Sequence, residues 1–299
     1  MNAPTRLAVP SVSLAHLTDP DEAARIERFV TQQGGSVFHR PLWLRAIERG
    51  TGQQAMGLVL EQAGQLTGWL PLTLVHSPLF GRALVSSGFG VGGGVLAQRR
   101  HDAETLCRAA EELALRHQAV SVELRGGDAP ADWQGTTTSH CNFVNDLADD
   151  DEAQLLAIPR KARAEVRKGL KTDFEITIGS DEADRVAHYA VYAESVHNLG
   201  TPVFPRRLFD AVLDAFGAEA DILTAHHDGT PVASVLSLYH DDGKGPTVMP
   251  YWGGGTYAAR GLRANERMYY ELMLHARKRG CTRFDFGRSK TESGPYFFK

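Results

Sequence analysis

Apolar residues recur with helical or strand spacing, and the two spacings follow the same order in both halves of the chain. In the first half they predict helices over 40–49 and 102–117 and strands over 56–61, 66–75, 83–87 and 120–125. In the second half they predict helices over 207–216 and 266–279 and strands over 222–226, 232–239, 247–252 and 282–286. A strand that follows a loop and a helix favours a parallel crossover. We therefore predict an α/β fold with mixed, largely antiparallel sheets flanked by helices.

Short motifs repeat between the halves at a nearly constant offset. The pattern F-x-R-x-L-aromatic occurs at 38–43 and again at 204–209. Three further pairs follow in the same order: strand motifs at 66–72 and 232–238, glycine triplets at 92–94 and 253–255, and V-E-L and F-D-F at 122–124 and 284–286. Each match alone is weak, but their shared order and offset predict an internal duplication.

Composition narrows the class of protein. The chain has 299 residues, of which 42% are hydrophobic and 23% charged, which excludes a fibrous or mostly disordered protein. The formal charge of −4 gives no global signal for nucleic acid. Cys107, Cys141 and Cys281 are too scattered for a disulfide framework or a CxxC metal site, so we expect reduced thiols. No stretch is long and apolar enough to span a bilayer, and we expect a cytoplasmic protein.

An acidic segment, D-D-D-E at 149–152, separates the halves. It is interpreted either as a solvated linker or as a helix start, where the helix dipole favours negative charge. We therefore predict two domains, 1–150 and 151–299, and the second begins with a basic helix over 158–171.

The predicted basic helix carries six basic residues and one acidic residue. Helical spacing separates a cationic stripe from an apolar one: Arg160, Arg163, Arg167 and Lys171 against Ala162, Val166 and Leu170. Arginine suits bidentate contacts with phosphate. We predict that a phosphate-bearing donor is bound by Arg160, Lys161, Arg163, Arg167 and Lys168. The alternative is an ordinary solvated helix face, compensated by the acidic segment before it.

Other short motifs give little chemistry. Residues 88–93 satisfy G-x-G-x-x-G, but no helix follows directly, so a dinucleotide site is not predicted. The adjacent pairs His226–His227 and His140–Cys141 point apart in a strand, and we predict no metal site.

The run F-D-F-G-R-S-K at 284–290 is the strongest candidate for chemistry. Alternation in a strand places Asp285 on the face opposite the two phenylalanines, and a glycine turn then carries Arg288, Ser289 and Lys290. Asp285 is the candidate base. The alternative is that Asp285 only anchors the loop and pairs with Arg288.

These motifs together resemble the FemAB-related acyltransferases, most closely the FemAB-like proteins associated with PEP-CTERM/exosortase systems. The motifs that carry the resemblance lie at 38–43, 78–94, 122–125, 160–171, 198–205 and 284–290. The resemblance implies two tandem GNAT-like domains and transfer of an acyl or aminoacyl group. The sequence departs from the pattern of this family in two places. The segment 258–263 keeps only Gly261 of the coenzyme A loop pattern, so coenzyme A binding is not favoured, and relatives continue beyond the motif at 296–299, so we expect a fragment or a shortened form.

The function that follows is transfer of an acyl or aminoacyl group to an amine or hydroxyl of a cell-envelope or exopolysaccharide precursor. The expected roles are Asp285 as base, Arg288, Ser289 and Lys290 as acceptor-binding residues, and an oxyanion pocket at Tyr251, Trp252, Gly253, Asn198 and Thr201. No permanently bound cofactor is expected, and the donor is acyl-CoA, acyl-carrier protein or aminoacyl-tRNA, although the net charge does not favour tRNA. The alternative is a non-catalytic GNAT-like module that binds a polysaccharide, a lipid-linked sugar or a protein.

Overall fold

The computed structural model describes residues 10–135 and 138–292, and the chain divides into two compact units, Met1–Gly135 and Thr136–Lys299. The division falls before the predicted boundary at 150. The reason is that a strand formed by residues 140–146 belongs to the sheet of the C-terminal unit.

The N-terminal unit has one sheet with helices on both faces. Its strands are β1 (Ser11–Leu14), β2 (Gln54–Gln62), β3 (Gln65–Ser77), β4 (Gly81–Ser86), β5 (Leu96–Ala97) and β6 (Val122–Glu123). Its helices are α1 (Pro20–Gln32), α2 (Pro41–Thr51) and α3 (Arg100–Arg116). The strand order is β1-β2-β3-β4-β6, with β5 beside β3. Among these strands, β4 and β6 form the parallel pair, as the predicted crossover requires.

Strand periodicity explains how both faces of this sheet are covered. On β2, Leu58 and Leu60 belong to the cluster that includes Leu106 of α3, whereas Val59 belongs to the cluster that includes Ile26 of α1. Asp19 caps helix α1: its side chain accepts a hydrogen bond from the backbone N–H of Asp21 at 2.9 Å, and Pro20 is the first residue of the helix.

The C-terminal unit has a second six-stranded sheet. Its strands are β7 (His140–Asp146), β8 (Glu175–Gly179), β9 (Ala220–His227), β10 (Thr230–Asp241), β11 (Pro246–Gly255) and β12 (Arg283–Lys290). Its helices are α4 (Asp151–Ala157), α5 (Arg160–Gly169), α6 (Glu182–Asn198), α7 (Arg206–Phe216), α8 (Ala259–Leu262) and α9 (Ala264–Lys278). The order is β7-β12-β11-β10-β9-β8, and β11 with β12 forms the parallel pair.

The two units repeat one topology, which confirms the predicted fold class. Residues 66–72 lie in β3, between β2 and β4, and residues 232–238 lie in β10, between β9 and β11. In each unit a helix then connects to a last strand that pairs in parallel over a short length: β6 with β4 in the N-terminal unit, and β12 with β11 in the C-terminal unit. Helices α1 and α6 and strands β1 and β8 were not predicted, and they too occupy corresponding places in the chain order.

The acidic segment starts a helix. The side chain of Asp150 accepts a hydrogen bond from the backbone N–H of Ala153 at 2.7 Å and caps α4. Of the two interpretations of 149–152, the structure therefore has the helix start, where carboxylates meet the positive end of the helix dipole.

Candidate functional site

The parallel strands of the C-terminal unit pair over a short length and then separate. Thr247 faces Arg283 and Val248 faces Phe284, and these are the registered pairs between β11 and β12. Beyond them β11 stays hydrogen-bonded to β10, and β12 pairs with β7 on its other side. We call the place where β11 and β12 separate the fork, and the two strands beyond it its branches. Within residues 138–292, each branch pairs with a neighbouring strand on its outer side.

A β-bulge lies on the β11 branch. Leu236 faces Trp252 but the next residue of β10, Ser237, faces Pro250, so Tyr251 is an extra residue on β11. A bulge turns the local backbone and re-aims its N–H groups. Trp252 is buried and packs edge-to-face on Phe209 of α7, with the ring centroids 5.0 Å apart. Pro250 has no N–H, so any backbone oxyanion donors of this segment belong to the residues after it.

Asp285 lies at the point where the strands separate. It is the first residue of β12 after the last pair with β11. Phe284 and Phe286 are buried in the core beneath α9, so strand alternation places the half-buried Asp285 on the opposite face, as predicted. Its Oδ1 accepts a hydrogen bond from Gly287 N at 2.7 Å, and Gly287 has φ +69°. This bond corresponds to the capping part of the loop-anchoring alternative, which also expects a pair between Asp285 and Arg288.

The predicted turn after Gly287 is wrong. Residues 288–290 continue β12 and pair with residues 140–142 of β7, because a bulge at Gly287 keeps the strand in the sheet. Arg288 and Lys290 are exposed, whereas Ser289 between them is buried. Strand periodicity therefore separates the predicted acceptor-binding trio into two exposed cations on one face and a buried hydroxyl on the other.

The basic helix α5 is amphipathic, as its spacing predicts. Val166 is buried against Tyr270 and Leu274 of α9. Leu170, the last residue of the predicted apolar stripe, lies beyond the helix end and is 38% exposed. The helix thus packs on α9 through its middle and presents its cationic stripe outward.

Two of the five cations predicted to bind the phosphate-bearing donor already have partners within the C-terminal unit. Glu165 binds Lys168 and Arg263, each at 2.8 Å, and the bond from Lys168 is the main cause that holds the pKa of Glu165 below its usual value. Arg163 Nη1 donates to the carbonyl of Leu156 at 2.8 Å.

The other three cations predicted to bind the donor face solvent. Arg160, Lys161 and Arg167 are exposed, and within residues 138–292 the structure gives them no ion-pair partner. The bond between Glu165 and Arg263 places this helix beside the start of α9, where Arg263 has φ +60°. Backbone N–H groups at a helix start and nearby cations both attract anions.

The remaining predicted pocket residues lie in the connection between α6 and α7. Asn198 is the last residue of α6 and Thr201 follows it, and both are exposed. The backbone N–H of Thr201 donates to the carbonyl of Val196 at 3.2 Å, which closes the helix end.

A buried histidine network was missed from the sequence. His188 of α6 is 1% exposed, and its Nδ1 lies 3.0 Å from Ser234 Oγ, which lies 2.8 Å from Thr224 Oγ1. Burial lowers the pKa of His188 to about 4, so the ring is neutral at pH 7. Its spacing within α6 was the available signal, but that helix was not predicted.

The corresponding fork of the N-terminal unit is joined across its branches. Pairing between β4 and β6 ends at Val85 and Glu123. Just beyond, Arg125 Nη1 donates to the carbonyl of Gly90 at 2.9 Å, and Trp43 Nε1 donates to the carbonyl of Gly88 at 3.1 Å. The glycine-rich loop thus binds to the segment after β6, and Arg125 also pairs with Glu123 at 3.0 Å.

Backbone contact completes this junction. A Cβ atom on Gly94 would lie 1.6 Å from the carbonyl oxygen of Gly126, so the two backbone segments approach more closely than any side chain at this position would allow. His39, from the first repeat motif, is also buried here, and burial lowers its pKa to about 4. The glycine run therefore has a packing role.

Residues 159–299 match the family model of the acetyltransferase (GNAT) domain. No curated protein sequence matches the chain. Several solved structures share its fold. FemX has 14% identity and a TM-score of 0.66, covering 91% of this chain and 88% of that one. A tandem GNAT protein from the clavulanic acid biosynthesis pathway has 12% identity and a TM-score of 0.58, covering 97% and 92%. L-PGS from Bacillus licheniformis has 11% identity and a TM-score of 0.51, covering 92% and 80%.

Residues 159–299 are thus similar to a GNAT-type acetyltransferase domain, and the chain shares the fold of tandem GNAT proteins. A GNAT domain uses an acyl donor and an acceptor. Within the described residues, no group of three His, Cys, Asp or Glu side chains could hold a metal ion. No helix among residues 10–135 and 138–292 is long and apolar enough to cross a membrane.

Proposed function

We propose that the C-terminal unit transfers an acyl or aminoacyl group to an amine or hydroxyl of a cell-envelope or exopolysaccharide precursor. The single observation that supports it most is the fork between β11 and β12, with a bulge on one branch and Asp285 at its base. The motif resemblance to FemAB-like proteins of exosortase systems supports the choice of acceptor class, and the fold shared with FemX supports the GNAT-like architecture.

The donor is proposed to bind by its anionic carrier beside the start of α9. Arg167 faces solvent near the end of α5 that meets the start of α9, whereas Arg160 and Lys161 face solvent in the first turn of α5. Arg163 and Lys168 belong to the same helix. Exposed cations at a helix start offer phosphates both charge and backbone N–H groups. This arrangement suits acyl-CoA, acyl-carrier protein and aminoacyl-tRNA alike, because each carries phosphate. None is a resident cofactor.

The reaction is a direct displacement on the donor carbonyl. The acceptor nitrogen or oxygen forms a bond to the carbonyl carbon, and its proton passes to the Asp285 carboxylate, directly or through water. Those backbone N–H groups of Tyr251, Trp252 and Gly253 that point away from β10 stabilise the negative charge on the carbonyl oxygen. The bond to the carrier then breaks, and the carrier leaves with a proton. Arg288 and Lys290 hold an anionic acceptor near the reacting carbon, and Asn198 and Thr201 complete its pocket.

A second candidate is a non-catalytic GNAT-like module that binds a polysaccharide, a lipid-linked sugar or a protein. The hydrogen bond between Asp285 and Gly287 favours it, because this bond gives the carboxylate a structural task. The segment 258–263 favours it too, because Gly261 alone remains of the coenzyme A pattern. For either candidate we propose a cytoplasmic location.

Ligand screening followed by turnover separates the two candidates. Native mass spectrometry of the full chain against acyl-CoA, acyl-carrier protein, aminoacyl-tRNA and nucleotide sugars identifies the ligand class. A transferase consumes the acyl donor in the presence of an acceptor, whereas a binding module retains both unchanged. Binding of a nucleotide sugar without consumption of any donor would contradict the proposed transfer.

A further inference from the structure

The four most exposed large hydrophobic side chains in the described part of the chain lie in the N-terminal unit, within two short segments. They are Leu79 at 86%, Phe80 at 83%, Leu115 at 78% and Val120 at 78%. Isolated exposed apolar residues are ordinary, but a group of the most exposed ones is typical of an interaction surface.

Hydrogen bonds connect the two segments. Leu79 and Phe80 form the tip of the hairpin between β3 and β4. At the base of the tip, Arg82 Nη1 donates to the carbonyl of His117 at 3.1 Å, and the backbone N–H of Val120 donates to the carbonyl of Arg82 at 2.8 Å. The hairpin tip and the end of α3 therefore form one surface, which we call the apolar tip surface: residues 76–82 and 112–120.

The backbone N–H groups at the tip already have partners. Pro78 has no N–H, and the N–H groups of Leu79 and Phe80 both donate to Ser77 Oγ, at 3.4 and 3.3 Å. A backbone segment enters a low-dielectric medium at low cost only when its N–H groups have partners. The tip meets this condition without any partner protein.

The charges around the tip are mainly cationic. Within these two segments, Arg82 and Arg116 stand against one carboxylate, Glu112, in a chain whose net charge is −4. Arg116 contacts Glu112 at 3.4 Å, but both side chains are about 70% exposed, so the pair is weak. Apolar side chains beside cations are complementary to an anionic lipid surface, where the apolar groups enter the headgroup region and the cations stay with the phosphates.

We propose that the apolar tip surface docks the N-terminal unit on an anionic lipid bilayer. Leu79 and Phe80 insert at the depth of the headgroups, Leu115 and Val120 extend the contact, and Arg82 and Arg116 bind lipid phosphates. Such attachment places an acyltransferase at the surface where lipid-linked acceptors reside, but it does not depend on the transfer reaction.

Vesicle co-sedimentation tests the proposal on the full chain. We expect the protein to sediment with vesicles of phosphatidylglycerol and phosphatidylcholine in equal parts and far less with phosphatidylcholine alone. The double change Leu79→Ser with Phe80→Ser is expected to lower binding at least about tenfold, because both apolar side chains leave the lipid contact. Added salt is expected to weaken binding of the unchanged protein.

A matched control replaces two less exposed apolar residues of the C-terminal unit, Ile178→Ser with Val186→Ser, and is expected to bind vesicles as the unchanged protein does. Circular dichroism confirms that each variant is folded. Failure of the unchanged protein to bind phosphatidylglycerol vesicles at low salt would overturn the proposal, and so would equal binding by the tip variant. Sedimentation velocity that shows self-association lost in the tip variant, without vesicle binding, would indicate a protein contact instead.

Discussion

The same fork occurs in both units, but the contacts that hold its two branches differ. In the N-terminal unit Arg125 reaches the carbonyl of Gly90, and Gly94 meets Gly126, so the branches are joined. In the C-terminal unit β11 is held by β10 and β12 by β7, each from the outside. A duplicated fold thus provides one copy whose fork is fixed by packing and one whose fork strands diverge beside ionisable side chains.

The difference between the two forks also appears in the surroundings of one carboxylate in each unit. Glu123 and Asp285 are equivalent in the strand pattern, but Glu123 is followed by Leu124-Arg125-Gly126 and pairs with Arg125. Asp285 is followed by Phe286-Gly287 and stays in a strand that β7 extends. One carboxylate supports a junction, and the other remains at the branch point of its sheet.

The largest expected effect separates these two carboxylates. If Asp285 is the base, Asp285→Asn lowers the transfer rate by roughly 10²–10⁴ with donor affinity nearly unchanged, because a base acts on the transition state. The amide keeps an oxygen for the bond from Gly287. Steady-state kinetics measures the rate, and calorimetry measures donor affinity.

Glu123→Gln is the matched control and is expected to leave the rate unchanged, since its carboxylate pairs with Arg125. An equal loss of rate in both variants would contradict the assignment to the C-terminal unit. Loss of stability without loss of rate in Asp285→Asn would favour the loop-anchoring role.

The next effect tests the joined fork. Gly94→Ala is expected to lower the free energy of unfolding by about 3 kcal/mol, because its Cβ would lie 1.6 Å from the carbonyl oxygen of Gly126. Gly135→Ala has no atom within 4 Å of the new Cβ and is expected to change stability by less than about 1 kcal/mol. Urea denaturation measures both. A tolerated Gly94→Ala would mean that the junction yields easily.

A smaller effect concerns the pH dependence of stability, to which each unit contributes one buried histidine. Burial lowers the pKa of His39 and of His188 from 6.5 to about 4. The folded state keeps each ring neutral, so this stability is complete above the unfolded pKa and is lost as pH falls from 6.5 towards 4. At about pH 5 each ring is expected to cost about 2 kcal/mol of unfolding free energy.

Denaturation at about pH 7 and about pH 5 measures this loss. His39→Phe and His188→Phe are each expected to reduce the difference between the two pH values by about 2 kcal/mol. An unchanged difference in either variant would show that its ring titrates normally in the folded protein.

The smallest expected effect tests the cationic stripe. Arg160→Glu with Arg167→Glu is expected to weaken binding of inorganic pyrophosphate about tenfold at low salt and to change stability by less than about 0.5 kcal/mol, because both side chains are exposed. Arg45→Glu with Arg100→Glu changes the net charge equally in the N-terminal unit and is expected to leave affinity unchanged. Equal affinities in calorimetry would identify α5 as an ordinary solvated face.

The elements around each fork were predictable because they depend on local periodicity. Helices at 40–49 and 266–279 follow from apolar spacing, and so do the strands at 56–61, 66–75, 83–87, 222–226, 232–239 and 247–252. The repeat then indicated which of these elements are equivalent. Strand β7 was missed because its residues, H-C-N-F-V-N-D, carry no alternation strong enough to oppose the acidic segment beside them. Its place depends on pairing with a strand at the far end of the unit.

The site was predictable to a lesser degree. The face of Asp285 follows from strand alternation, and the amphipathic form of α5 follows from helical spacing. The split between Ser289 and its two cationic neighbours was not predicted, because a glycine after F-D-F indicates a turn unless a partner strand holds it in a bulge. The role of Arg163 as a donor to Leu156 depends on how α4 and α5 meet, which no local pattern encodes.

The pairing of β7 with β12 has a consequence for biosynthesis. The two strands enclose the rest of the C-terminal unit between them in sequence, so β7 leaves the ribosome long before its partner exists. A nascent chain that ends before residue 283 presents two strands without their neighbour, β7 and β11, and exposed strand edges recruit other chains. Pairing between strands that are distant in sequence forms slowly. The unit should therefore gain protease resistance in one late step, when β12 has emerged and pairs with β7 on one side and β11 on the other.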